Sequence, residues 1–108
     1  MRASDLTRGE KLLLVRRRAG KTQVHEARAN GVSLHEYRAW EKDSGVYDIP
    51  QVGIGKVASH EVCFLARHRA GMTVASVAEE VGVCRWWCSQ MERGTVCADR
   101  LLAYWNVG

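Results

Sequence analysis

The stretch Arg18-Ala19-Gly20-Lys21-Thr22 returns as Arg69-Ala70-Gly71-Met72-Thr73, an offset of 51 residues, and Gly31-Val32 returns as Gly82-Val83 at the same offset. Working outward, the register also pairs Glu10 with Glu61, Leu14 with Leu65, Arg16 with Arg67, Ala27 with Ala78 and Glu41 with Glu92, with no gap. Chance matches of charged residues and glycines would not hold one register, so the chain reads as two copies of one structural unit. The 108 residues are then two small units, and large multi-layer enzymes are excluded.

Each copy reads as helices. In the first, Thr7 followed three residues later by Glu10 forms a capping-box pattern, and Leu12, Leu13, Val15 and Ala19 keep helical spacing up to a stop at Gly20. Thr22 caps a second helix in which Val24, Ala27 and the stem of Arg28 face inward as far as Asn30-Gly31. Val32 fills the angle after the turn, Ser33 caps a third helix, and Tyr37 and Trp40 bury their rings. The second copy runs in step through Val62, Leu65, Ala66, the cap Thr73, then Val74, Val77, Ala78, Gly82, Val83, Cys88 and Met91. Strand signals are sparse, and the expected fold class is all-α: two tandem helix-turn-helix units packed or linked in one small chain. The expected boundaries are a first unit at 1–48, a connecting segment at 49–58 and a second unit at 59–108. In that connector Pro50 can open a short fourth helix, weakened by Gly53 and Gly55, and Ala98 to Trp105 makes a better fourth helix for the second copy.

Gly-Lys-Thr-Gln at 20–23, Gly-Val-Ser at 31–33 and Tyr-Arg-Ala-Trp-Glu at 37–41 resemble the lambda-repressor-like Cro and phage-repressor family, also called the xenobiotic-response-element family. Gly71-Met72-Thr73, Val77 to Val83, Arg85 and Ser89-Gln90-Met91-Glu92-Arg93-Gly94 resemble it more closely. The resemblance covers residues 6–43 and 57–105 and implies a DNA-binding transcriptional regulator, most like a phage or mobile-element repressor, reading DNA through the third helix of one or both units. It further implies that Gln23 contacts phosphate and orients reading-helix side chains. Val74 stands where that glutamine would be in the second copy, and Trp86 and Trp87 replace the family's small polar residues.

Under that reading the reading-helix candidates of the first copy are Ser33, Leu34, His35 and Arg38, with Arg18 and Lys21 (and Arg16 and Arg17 beside them) as phosphate contacts. In the second copy they are Cys84, Arg85, Trp86, Ser89 and Gln90; Arg85 suits guanine and Gln90 adenine by donor and acceptor geometry. Adjacent tryptophans on a helix point about 100° apart, so at most one of Trp86 and Trp87 is deeply buried beside Cys88 while the other forms an exposed patch. The alternative function is a protein-interaction module (antiactivator, antirepressor or antitoxin-like) that docks a protein partner through Trp86 and Trp87. Double-stranded DNA is the expected partner, and a homodimer is compatible with two reading heads.

Composition agrees with this class. The chain is 46% hydrophobic and 26% charged, with a net charge of +4. Residues 1–43 hold ten Lys or Arg against six acids and so carry that whole excess. No apolar run approaches the ~18 residues of a membrane span, and the start does not resemble a signal peptide, so a cytoplasmic location without membrane association is expected. Cys63, Cys84, Cys88 and Cys97 are expected to be reduced thiols, acting mostly as small hydrophobes, since no metal-ligand spacing joins them. His25, His35, His60 and His68 read as surface residues. No nucleophile–base pair, phosphate loop or metal motif is present; neither a catalytic activity nor a cofactor is expected.

Overall fold

A computed structural model of the protein describes residues 5–44 and 48–106. Residues 1–4, 45–47 and 107–108, and with them Arg2 of the basic excess, therefore lie outside the described residues. Among the described residues the chain is all-helical, with α1 (Arg8–Ala19), α2 (Gln23–Ala29), α3 (Leu34–Glu41), α4 (Ser59–Ala70), α5 (Val74–Val81), α6 (Arg85–Arg93) and α7 (Asp99–Tyr104). It divides into two compact units, Met1–Lys56 and Val57–Gly108. None of these helices is long and apolar enough to cross a membrane.

In the first unit the capping box forms as the sequence predicts. Thr7 Oγ1 accepts the Glu10 N–H at 3.1 Å, and the Glu10 carboxylate accepts the Thr7 N–H at 3.0 Å. Two donors that a bare helix start would leave unpaired are satisfied reciprocally. Gly20 ends α1 in the left-handed region at φ 67°, Thr22 caps α2 and Ser33 caps α3. The chain reverses at Gly31, also left-handed at φ 68°, and the Val32 N–H returns to the Ala27 carbonyl at 3.0 Å. The Val32 side chain then packs on a core of Leu12, Ala27, Tyr37 and Trp40. α3 lies against both α1 and α2, the helix-turn-helix arrangement.

Three inward assignments fail here. Val24, Ala19 and the Arg28 side chain are exposed, because α2 is only seven residues long and buries Ala27 alone, while the end of α1 runs past the core. Leu14, not singled out by its spacing, is instead fully buried. The short helix at Pro50 does not form either. The segment runs irregularly, with Ile49 and Val52 on the core and Ile54 buried, and Gly55 at φ 63° is incompatible with a helix. Residues 49–56 of the connecting segment fall within the first compact unit.

The second unit repeats α1–α3 as α4–α6 and adds α7, which contacts α4 and α5. Its core is Cys63, Val77, Ala78, Cys88, Met91 and Leu101. Burial, then the nearby Glu92 and Cys88, push the Cys63 thiol up from 9.0 to about 11. Burial and Glu92 raise Cys88 as well, so both stay protonated at neutral pH and pack as hydrophobes. Cys84 and Cys97 are exposed. α4 starts with only half a capping box: the Ala58 N–H donates to Glu61 Oε1 at 2.9 Å, but alanine has no oxygen to return the bond. α7 spans Asp99–Tyr104, one residue inside each end of the expected stretch.

Candidate nucleic-acid interface

In the first unit the site begins underground. Glu41, at the end of α3, is buried and receives Arg16 from α1 through Nε at 2.6 Å and Nη2 at 3.1 Å. Arg16 Nη1 also donates to the Lys21 carbonyl at 3.2 Å, fixing the turn into α2. Burial works against the charge on Arg16, yet the hydrogen bond and field of Glu41 outweigh it, and its pKa ends up raised. Arg16 is therefore a structural cation and not the phosphate contact that its place in the basic block suggests.

Gln23, the first residue of α2, reaches the same carboxylate: its Nε2 donates to Glu41 Oε1 at 3.0 Å. Its other end, Oε1, accepts from Nε of the exposed Arg38 on α3 at 3.3 Å. The amide can point only one way here, since one end must donate to a carboxylate and the other accept from a guanidinium. Arg16, Glu41, Gln23 and Arg38 thus form one chain of hydrogen bonds running from the interior to the outer face of the third helix. Burial, then Glu41, also raises the Tyr37 hydroxyl pKa, so the phenol stays neutral beside this network.

The other first-unit candidates divide. Leu34 is half-buried and His35 exposed on the first turn of α3, and Lys21 is exposed before α2. Ser33 Oγ accepts the Glu36 N–H at 3.1 Å and is spent on capping. Arg18 is exposed, with its guanidinium engaged inside the unit. Its guanidinium donates to the carbonyls of Ile54 and, at 2.9 Å, Lys56, because the irregular segment after Pro50 offers carbonyls that no helix consumes.

In the second unit Val74, Arg85, Trp86, Ser89, Gln90 and Arg93 line an open depression of about 630 Å³. Arg93 had not been singled out, although its place two turns after Arg85 on one helix signals it. Trp86 is 62% and Trp87 40% exposed, so neither is deeply buried beside Cys88. The Cys88 face of α6 is filled by core residues, and the two indoles pack beside each other outside it, their centroids 5.9 Å apart at 45°. Gln90 Oε1 accepts from Thr95 Oγ1 at 2.6 Å, which engages one lone pair of the group expected to read adenine. Cys84 caps α6 by accepting the Trp87 N–H at 3.4 Å through sulfur.

The buried pair recurs. Arg67 donates to Glu92 through Nε at 2.8 Å and to the Met72 carbonyl through Nη1 at 3.0 Å, atom for atom as Arg16 does with Glu41 and Lys21. The signal was present in the sequence, where an Arg and a Glu recur together at the repeat offset. Comparison with protein-family models, with curated proteins and with solved structures gives no match to this chain.

Proposed function

We propose that the protein is a sequence-specific DNA-binding transcriptional regulator of phage or mobile-element repressor type, acting in the cytoplasm and reading duplex DNA with α3 of its first unit. The observation that supports this best is the hydrogen-bonded chain that ends on Arg38. A guanidinium on the outer face of a third helix, held by Gln23 and a buried carboxylate, has lost much of the rotamer freedom that groove binding would otherwise cost. His35 and Lys21 stand exposed beside it, and the first copy holds the basic excess of the chain.

Selection of bound duplex from a random pool by the intact protein tests the reading. An enriched motif is expected, with Arg38→Ala lowering affinity for it roughly tenfold, within the ~1–3 kcal/mol of one base-reading guanidinium, and relaxing preference at one position. Gln23→Ala is expected to weaken the same position less, by releasing Arg38. A pool that stays random at low salt overturns the proposal. Two reading heads or a homodimer then determine how many half-sites the motif contains.

A further inference from the structure

The outer face of α6 differs from that of α3 in chemistry. Leu34, His35, Glu36, Arg38, Ala39 and Lys42 correspond at the repeat offset to Arg85, Trp86, Trp87, Ser89, Gln90 and Arg93. The first turns of α2 and α3 each contain an acid, Glu26 and Glu36; those of α5 and α6 contain none. The acids of the second unit are elsewhere: Glu61 and Glu92 are buried, Glu80 takes the Tyr104 hydroxyl, and the exposed Glu79 and Asp99 are not among the residues that line the depression. The depression along α6 is therefore cationic without an opposing carboxylate, although the unit as a whole has no basic excess.

Arg85, Ser89 and Arg93 follow one another at four-residue intervals, so the two guanidinium-bearing positions share one stripe about 12 Å long. Trp86 flanks that stripe as its most exposed large apolar side chain. Cations repeating along a groove, with an aromatic face between them, match a strand of alternating phosphates and bases. The rings of Trp86 and Trp87 are too close to admit a base between them, since a slot needs about 7 Å, twice the ~3.4 Å stacking interval, against the observed 5.9 Å. Trp87 packs beside Trp86 at a tilt of 45°, and the 62% exposure of Trp86 leaves ring surface on which a base can stack. Paired DNA suits this face poorly: a helix already fills a major groove of about 12 Å, and two indoles on the entering turn leave no room.

We propose that the second unit binds unpaired nucleic acid along α6, with a base stacked on Trp86 and phosphates on Arg85 and Arg93. This does not depend on how the first unit reads duplex DNA. The test is a fluorescence titration of the intact protein at low salt with a thymidine oligonucleotide of about twelve nucleotides. The same titration is run with a duplex of matched length and with an aspartate-rich peptide of matched charge. Quenching by the single strand is expected, with affinity lost roughly tenfold in Trp86→Ala and in the double variant Arg85→Ala with Arg93→Ala. Trp86→Phe is expected to retain most of the affinity. Equal or tighter binding of the duplex through Trp86 overturns the proposal. So does equal quenching by the acidic peptide, which would make the face a protein-docking surface, and so does full single-strand affinity in Trp86→Ala. Because Trp86 is exposed, its replacement leaves the core intact, which an unchanged melting temperature verifies.

Discussion

The two units meet one problem, how the start of the first helix passes the end of the third, with opposite solutions. In the first unit the first turn of α1 carries a small residue, Gly9, and the large partner comes from the other side. The Asp43 carboxylate accepts the Gly9 N–H at 2.9 Å and the Thr7 hydroxyl at 2.5 Å. A Cβ on Gly9 would lie 2.3 Å from the Trp40 carbonyl and 2.7 Å from Asp43. In the second unit the sizes are exchanged: His60 stands at the position of Gly9 and Gly94 at that of Asp43. A Cβ on Gly94 would meet the His60 ring at 2.7 Å, and at φ 79° the position also disfavours any side chain. The room needed at this contact is common to both copies; which helix supplies the bulk is not. The buried Arg–Glu pair, by contrast, is kept in the same chemistry and nearly the same geometry in both.

The largest effect is expected where the units agree. Glu41→Ala and Glu92→Ala should each destabilise their own unit by about 3 kcal/mol, the low end for a broken buried pair because the arginines retain some exposure. Urea unfolding reads this, and only Glu41→Ala should also reduce duplex affinity, through Gln23 and Arg38. A neutral Glu92→Ala would break the parallel between the copies. Next come the exchanged sizes. Gly9→Ala and Gly94→Ala should cost ~1–3 kcal/mol each by overpacking. Gly9→His should cost more, and adding Asp43→Gly should restore part of it; a double-mutant coupling energy below about 0.5 kcal/mol would show that the two positions do not compensate one another. The smallest effect is a gain: Ala58→Thr should complete the second capping box and stabilise that unit by about 1 kcal/mol, read as a raised unfolding midpoint.

Much of the architecture was legible because local chemistry dictates it. Thr7, Thr22, Ser33 and Thr73 cap helices since their oxygens satisfy donors a few residues away, and Gly20, Gly31 and Gly82 adopt the left-handed backbone that the turns require. What escaped depends on distant partners. The repeat register aligned Arg16 with Arg67 and Glu41 with Glu92, but that each arginine buries itself on its glutamate 25 residues away requires α1 folded against α3. The hydrogen bonds of Arg18 were hidden for the same reason, since the carbonyls it holds lie on a segment whose path no local signal specifies. At the candidate site Gln23 and Arg38 were both singled out, yet their hydrogen bond, and the hidden carboxylate behind it, appear only in three dimensions.

A chain made of two similar halves risks assembling with itself in the wrong pairing, the leading helix of one half closing on the body of the other. Exchanging the bulky partner between Gly9–Asp43 and His60–Gly94 makes such hybrids inferior in both directions. Joining α4 to α3 sets an imidazole against a carboxylate where there is space for one group; joining α1 to α6 sets two glycines together and leaves a void. The divergence of the repeat at these four positions is thus expected to disfavour hybrid packing, distinguishing each half from its own twin.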